Sequence, residues 1–405
     1  MKNTPALTVT LAGLAMVGPF ATDTYLPAFP DLMRSFAVSA PAVQQSLSLY
    51  LFAYALMTLF YGTLSDSFGR RPVILTSVGI FLMASLGAAL APNYVLFLVF
   101  RAIQGLSAGA GMVVGQAIVR DRFSGPAAQK MIANIMMVFG IAPAIAPVIG
   151  GYFSVSFGWR SVFFFLTAFA ALLWLLSFKV IAESLDRDAR QRFQASTILR
   201  NYKSAAGHAG FMFGCLAFGF AFSGFALYIS SAANFVLQIL HLTQMSFGWL
   251  FVPLIGGIVL GSAISSALAH RYAMGSLVRV GIAIMVGGAL LNILCSAIGP
   301  VTVPWVVLPL FVYSTGLALA MPGMSVSTLG LFPATRGLAA SLQNFVQMLI
   351  FALISGFIAP LLFGSALHLA LGCGVGVALS VICWRFHTRL CPANARGVSQ
   401  PAPRA

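Results

Sequence analysis

Asp23 stands out because it is the one acidic residue that interrupts a long apolar stretch of this sequence. Its neighbours Thr22, Thr24 and Tyr25 are also polar. A carboxyl group in such surroundings gains or loses a proton as its hydration changes, so we predict that Asp23 binds a proton. An acid that caps a broken helix at the water boundary is the alternative. The other acids lie at the end of a stretch or in polar breaks: Asp31, Asp66, Asp121, Glu183, Asp186 and Asp188.

Arg101 is a second charged residue within an apolar stretch, in the pattern Leu98-x-x-Arg101-Ala-x-Gln104-Gly105. An arginine at the centre of a membrane helix costs about 2.5–3.5 kcal/mol on insertion scales, so its presence indicates a function. We predict that Arg101 takes part in proton coupling with Asp23. Gln104 and Gly105 are predicted to belong to the same conformational motif. The alternative is a side chain that reaches water from the end of its span.

No arrangement typical of an enzyme accompanies these two charges. The sequence has no HExxH and no pair of acids within one apolar stretch. Five cysteines lack a CxxC pair or interleaved histidines. We predict no catalytic residue and no metal site; an intramembrane enzyme, a sensor or a purely structural protein is the weaker alternative. The histidines fall at the ends of apolar stretches or between them, without an evident partner: His208, His241, His270, His368 and His387.

The elements that position these residues are apolar helices. The chain is 60% hydrophobic and 7% charged, with a mean hydropathy of +0.97, whereas soluble domains carry about 25% charged residues. Apolar runs of about 20 residues, enough to cross a bilayer, recur along the chain, and the first is read as an uncleaved span. We predict an all-α integral membrane protein of 12 transmembrane helices, near 7–29, 42–64, 72–91, 94–118, 131–153, 161–182, 209–232, 246–268, 275–298, 302–328, 337–362 and 365–386.

The placement of positive charge predicts the orientation. The net charge is +15, and of the 22 Lys and Arg residues all but Arg34, Arg160 and Arg101 fall on one side of the predicted spans. Such an excess marks the cytoplasmic side, so both termini are predicted to be cytoplasmic. Because the charge is scattered over many loops instead of forming one patch, no nucleic-acid partner is predicted.

A polar stretch at 183–208 divides the spans six and six. We predict an N-terminal bundle over 1–182, a cytoplasmic linker over 183–208, a C-terminal bundle over 209–388 and a cytoplasmic tail over 389–405. An amphipathic element around 190–203 within the linker would suit the lipid headgroups. GTLSDSFGRR at 62–71 is weakly repeated as GSAISSALAHR at 261–271, about one half-chain later, which favours two related halves.

The first of these copies contains the pattern Gly62-x-x-x-Asp66-x-x-Gly69-Arg70-Arg71. Glycines permit tight turns and close helix approach, and Asp66 can pair with a neighbouring arginine. A charged loop that follows the positive-inside rule would explain the two arginines but not the glycines or the acid.

The predicted fifth span carries a third pattern, whose five residues are all glycine or proline and favour bending or close packing of a helix. It reads Gly140-x-x-Pro143-x-x-x-Pro147-x-x-Gly150-Gly151. Glycine and proline are common in membrane helices, so the signal comes from their ordered spacing.

Together these patterns resemble the Major Facilitator Superfamily: its loop signature between spans two and three, its fourth-span motif, and the fifth-span motif of its drug/proton antiporters. The run Thr22-Asp23-Thr24-Tyr25-Leu26-Pro27-Ala28-Phe29-Pro30 and the segment Gly158–Phe164 are similar to the Bcr/CflA branch, the bicyclomycin and chloramphenicol efflux proteins. The resemblance covers the first half by motifs and the second half mainly by span count.

The resemblance implies the major facilitator fold, with two six-helix bundles that alternate access to a central cavity, and a loop signature that latches the outward-open state. It implies proton-coupled efflux of small amphipathic drug-like compounds by a monomer in the bacterial inner membrane. The proton gradient would be the energy source, and no cofactor is expected. An exporter of one metabolite, such as a sugar, nucleoside or amino acid, is the alternative.

Aromatic and amide residues are predicted to line the substrate cavity with Asp23, because apolar walls with few polar groups suit varied ligands. For each of them, helix packing or contact with lipid is the competing role. They are Tyr25, Tyr50, Tyr54, Phe222, Phe225, Tyr228, Asn234, Tyr313, Asn344 and Gln347.

Overall fold

The computed structural model describes residues 4–186, 188, 190, 195–269 and 271–392, and these residues form helices and no β-strand. The helices of the first half are α1 (Thr4–Asp23), α2 (Phe29–Phe36), α3 (Ala40–Thr58), α4 (Tyr61–Phe68), α5 (Arg70–Leu90), α6 (Tyr94–Ala108), α7 (Ala110–Arg122), α8 (Gly125–Phe157) and α9 (Trp159–Val180). Those of the second half are α10 (Ala195–Ala206), α11 (Ala209–Ser230), α12 (Ala232–Asn234), α13 (Gly248–Leu268), α14 (Met274–Ile298), α15 (Leu308–Leu329), α16 (Arg336–Leu353), α17 (Ala359–Leu362) and α18 (Ala366–Leu390).

The number of spans agrees with the prediction. Eleven helical segments of the described chain are long and apolar enough to cross a membrane. The pair α3 and α4, bent by 50°, makes a twelfth if it is counted as one span. The prediction of an all-α, multi-pass membrane protein is therefore confirmed, while the cytoplasmic placement of the termini stays a prediction.

The spans are less regular than twelve simple helices. The first is interrupted after Asp23 by a 3₁₀ turn, Leu26–Ala28, before α2 begins. Two spans of the second half contain π-helical turns, Phe235–Ile239 and Ile354–Ile358. Hydrophobic periodicity does not reveal the two π-helical turns, because most of their side chains are apolar.

The predicted linker contains one helix. α10 covers Ala195–Ala206, and this helix corresponds to the amphipathic element predicted around 190–203. Residues 187, 189 and 191–194 of the linker and the predicted tail beyond residue 392 lie outside the described residues.

The described chain groups into two compact units. The first comprises the described parts of 1–195, 226–252 and 351–365, and the second those of 196–225, 253–350 and 366–405. The domain limits predicted from the polar stretch at 183–208 stay a prediction.

His387 holds three helices of the second unit together. Its side chain is fully buried, with Nε2 2.9 Å from the Ser327 hydroxyl and Nδ1 2.8 Å from the Gly210 carbonyl oxygen. The ring also stacks on Trp384, at 4.8 Å between centroids. The sequence showed no partner for this histidine, because its partners lie on α11 and α15, 60 or more positions away.

Candidate functional site

Asp23 is the one buried acid among the described residues. It is 3% exposed, and Thr22, Thr24 and Tyr25 are buried beside it. Among the described residues, no Lys, Arg or His nitrogen lies within 4.0 Å of its carboxylate. The charged form of this acid is therefore separated from water without a neighbouring cation, which is costly for an ionised group.

The position of Asp23 follows from the break in the first span. A continuing helix would bond the amide of residue 27 to the Asp23 carbonyl, but Pro27 has no N–H. α1 accordingly ends at Asp23, and the carbonyls of its last turn need other donors. Arg101 supplies one, since its Nη1 donates to the Ala21 carbonyl at 3.0 Å. A cation at this end also complements the helix dipole.

Arg101 occupies a closed, largely aromatic compartment. Its side chain is fully buried, so it does not extend to the end of its span as the alternative interpretation required. Its guanidinium carbon lies 4.1 Å from the Tyr25 ring centroid and 4.6 Å from that of Tyr50, distances typical of cation–π contacts. Nη1 also donates to Gln104 Oε1 at 2.8 Å, whereas Nε and Nη2 have no partner among the described residues.

Buried polar contacts fix the residues around Arg101. The Gln104 amide donates to the Ser85 hydroxyl at 2.8 Å, which donates to the Phe81 carbonyl at 2.7 Å. The Tyr25 and Ser46 hydroxyls are 3.3 Å apart. These hydrogen bonds hold Gln104 and Tyr25, and through them the Arg101 side chain, in one geometry.

Gly150 of the fifth-span pattern packs directly on the residues next to Asp23. A Cβ atom at this position would overlap the carbonyl oxygen of Thr24, and one at Gly151 would lie 2.5 Å from the Gln244 carbonyl oxygen. A Cβ at Gly140 would meet nothing within 4 Å. α8 continues through Pro143 and Pro147. Gly150 and Gly151 thus allow α8 to pack directly against the backbone of Thr24 and Gln244. Gly140 has no such role in this structure.

The loop pattern forms an ion-pair cluster at the start of α5. The Arg70 guanidinium pairs with Asp66, donates to Asp121 Oδ2 at 3.0 Å and donates to the Ser65 hydroxyl at 2.7 Å. Arg71 donates to the Phe178 carbonyl at 2.9 Å. The cluster therefore joins α4, α5, α7 and the end of α9.

Glu183 caps the amino terminus of α5. Its carboxylate accepts hydrogen bonds from the backbone amides of Arg70 and Arg71, at 2.9 and 3.3 Å, and from those of Ser184 and Leu185. Burial raises the pKa of the Glu183 carboxyl, but these amides outweigh burial and hold its pKa below the usual value. The stabilisation is therefore full above the usual pKa of a glutamate and is lost as the pH falls through the lowered value. Gly69, at φ +100°, provides the space that the Glu183 carboxylate occupies, because a Cβ at residue 69 would be 2.5 Å from Glu183 Oε2.

The remaining predicted cavity residues of the first unit occupy different surroundings. Tyr50 is buried against Arg101, and the partly exposed Tyr54 lies 6.3 Å from it between centroids. Tyr228 is buried and packs edge-on against the Phe235 ring at 5.3 Å. The Asn234 amide donates to the Phe363 carbonyl at 2.9 Å. The structure brings Tyr25 and Tyr50 together at Arg101. For these two residues, and for Tyr54, Tyr228 and Asn234, a role in substrate binding stays a prediction.

In the second unit, the predicted residues also differ in exposure. Phe222 and Phe225 pack with ring centroids 5.0 Å apart, and Gln347 is buried. Tyr313 is fully buried, and its hydroxyl donates to the Ala221 carbonyl. Asn344 is exposed. Tyr313 thus serves helix packing in this structure, and the predicted contact of this set with substrate is untested.

Three polar residues of α3 make contacts that sequence analysis did not anticipate. Gln44 donates to the Ser355 hydroxyl, Gln45 to the Gly356 carbonyl and Ser48 to the Ala352 carbonyl, each at 2.8 Å. All three acceptors lie in or beside the π-helical turn, where the backbone pattern is irregular. The signal in the sequence that could have predicted these contacts is the presence of polar residues at the start of an apolar span.

The described residues form 11 or 12 candidate membrane spans, and the first unit contains a buried acid and a buried arginine. The chain belongs to the Major Facilitator Superfamily, whose family model matches residues 11–355, and is therefore a transporter and not an enzyme. The family resemblance read from the motifs is confirmed.

Named relatives agree with this assignment. The chain is 27% identical to a bicyclomycin resistance protein homolog of Haemophilus influenzae, over 96% of this chain and 97% of the relative. It is 27% identical to multidrug resistance protein D of Escherichia coli, over 93% and 94% of the two chains. Its fold matches the xylose transporter of E. coli with a TM-score of 0.73 and 15% identity, over 94% and 97% of the two chains.

Proposed function

We propose that this protein exports small amphipathic compounds across the bacterial inner membrane in exchange for protons, by alternating access. Asp23 binds the proton, and Arg101 with Tyr25 and Tyr50 positions the segment that carries it. The transporter acts as a monomer, and the proton gradient replaces any cofactor as the source of energy.

The observation that carries the proposal is the burial of Asp23 without a cation within 4.0 Å. A carboxylate in this place is stabilised either by taking up a proton or by a cationic or polar group of a ligand. Proton and substrate therefore compete for one group, and this competition is what an antiporter needs. Relatives named for bicyclomycin and multidrug resistance support drug-like compounds as the substrates.

Arg101 acts on Asp23 through the backbone. Its bond to the Ala21 carbonyl holds the end of α1 two residues before the acid, and its contacts with two tyrosine rings hold the arginine. A shift of α1 during the transport cycle would therefore move the acid and the arginine compartment together.

A panel of toxic compounds tests the proposed substrate class. In a strain that lacks its major efflux pumps, expression of this protein is expected to raise the inhibitory concentrations of several chemically unrelated amphipathic compounds, relative to an empty vector. Protection against a single chemical class would instead indicate the alternative, an exporter of one metabolite. Unchanged sensitivity to the whole panel, with the protein present in the membrane, would contradict export of toxic compounds.

Asp66→Ala is expected to slow transport with little change in apparent substrate affinity. Removing Asp66 takes one of two acidic partners from Arg70, far along the chain from Asp23. A partly exposed ion pair is worth up to about 1 kcal/mol, so the maximal rate is expected to fall about two- to fivefold. Initial transport rates in membrane vesicles over a range of substrate concentrations provide the measurement.

Asp186→Ala is the matched control, because it removes one exposed acid from the same side of the predicted membrane. The control is expected to transport like the wild type. A large loss of affinity at an unchanged maximal rate in Asp66→Ala would show that the loop acts on substrate binding and not on the conformational cycle.

A further inference from the structure

A cavity of about 690 Å³ lies in the second unit, between the first turns of α14 and the last turns of α18. Both of these helix ends face the side that the charge distribution predicts to be cytoplasmic. Polar and apolar residues share its lining: Ser276, Arg279, Ile282, Val381, Trp384 and Arg385.

The polar part of the cavity is positively charged. Arg279 and Arg385 are both exposed, and neither forms an ion pair with any residue that the structure describes. Arg279 is oriented by a 3.2 Å hydrogen bond to the Ser276 hydroxyl. Two guanidinium groups on one cavity are suited to an anion, and to phosphate in particular.

The second half of the sequence contains no acidic residue that could neutralise these arginines. All seven acids of the chain occur at or before Asp188, whereas both arginines lie far beyond it. Arg271 and Arg389 add further positive charge close to the two helix ends. An anion from the surroundings is therefore favoured at this face by the local positive charge.

The apolar part of the cavity indicates which anion. Ile282, Val381 and Trp384 line it, and the neighbouring Ile382 and Phe386 on α18 are exposed large hydrophobic residues. In a membrane-spanning helix such a surface faces acyl chains, and tryptophan is favoured at the headgroup level. A free phosphate ion would gain nothing from these side chains.

We propose that this cavity binds the phosphate headgroup of an anionic phospholipid, with Arg279 and Arg385 on the phosphate and the acyl chains along Ile282 and Val381. Basic cavities between membrane helices on the cytoplasmic side bind such headgroups by general electrostatics. The bound lipid supplies the negative charge that the second half of the sequence lacks.

Native mass spectrometry of the purified full-length protein, titrated with phosphatidylglycerol, tests the proposal. Each arginine near an anionic headgroup contributes a factor of about 5 in affinity, so Arg279→Gln with Arg385→Gln is expected to weaken binding roughly 30-fold. The matched control, Arg120→Gln with Arg336→Gln, removes two exposed arginines outside the cavity and is expected to stay within about twofold of the wild type. Arg279→Lys with Arg385→Lys is expected to retain most of the binding.

Two further titrations separate the possible ligands. Phosphatidylcholine, which has a phosphate but no net charge, is expected to bind the wild type clearly more weakly than phosphatidylglycerol. Inorganic phosphate is expected not to displace the lipid. Equal lipid binding by the Gln double variant and its control, equal binding of the two lipids, or displacement by inorganic phosphate would each overturn the proposal. If the Gln double variant does not fold, the two single variants replace it, each with an expected loss of about fivefold.

Discussion

Gly150→Ala is expected to abolish transport and to destabilise the protein, whereas Gly140→Ala leaves both close to the wild type. The two glycines belong to the same fifth-span pattern and lie on the same helix, α8. A Cβ at residue 150 overlaps the backbone carbonyl of Thr24, which cannot rotate away, while a Cβ at residue 140 meets nothing within 4 Å. Overpacking of this kind costs about 1–3 kcal/mol and displaces the neighbouring segment, which here is the one that carries Asp23.

Thermal unfolding in detergent and transport in membrane vesicles measure the two effects. Gly150→Ala is expected to lower the unfolding temperature and to lose transport even where the folded protein is recovered. Gly140→Ala serves as the control for the added methyl group itself. Equal behaviour of the two variants would show that the contact between α8 and the Asp23 segment does not determine the site.

Asp23→Asn is expected to remove transport driven by a pH gradient while leaving expression and folding nearly intact. Asparagine keeps the shape of the side chain but cannot titrate. An uncharged group is also readily accommodated where Asp23 has no cation within 4.0 Å. Substrate accumulation in everted vesicles, with an imposed pH gradient, gives the measurement.

Asp31→Asn is the matched control for this substitution. Asp31 lies in the same candidate span but is partly exposed, pairs with Arg34 and accepts a hydrogen bond from Ser154 at 3.0 Å. Its substitution is expected to preserve pH-driven accumulation. Undiminished accumulation by Asp23→Asn would show that another group carries the proton.

The apolar runs predicted the helices well, because a bilayer requires about 20 apolar residues whatever their packing. The isolation of Asp23 was equally visible, since acids are few in this chain. The break at Asp23 was not predicted as a functional feature, although Pro27 was its signal. The bond from Arg101 to Ala21 could not be predicted, because it joins residues 80 positions apart and depends on how α6 packs on α1.

The loop pattern identified Asp66 and Arg70 but missed Asp121 and Glu183. Both missed residues are ordinary acids in polar segments, and only the fold places them beside Arg70 and the start of α5. In the second half, the predicted cavity residues were chosen by type alone. Aromatic residues serve helix packing as readily as ligand binding, as the buried Tyr313 with its bond to Ala221 illustrates.

Proton release on substrate binding is the measurement that tests the competition at Asp23 most directly. The purified protein, in weakly buffered detergent solution with a pH indicator, is mixed with a compound to which it confers resistance. The wild type is expected to release one proton for each molecule bound, because substrate displaces the proton from Asp23. Asp23→Asn, mixed with enough of the compound to saturate it, is expected to release none. Equal release by the variant, or binding to the wild type without release, would contradict exchange at this carboxyl group.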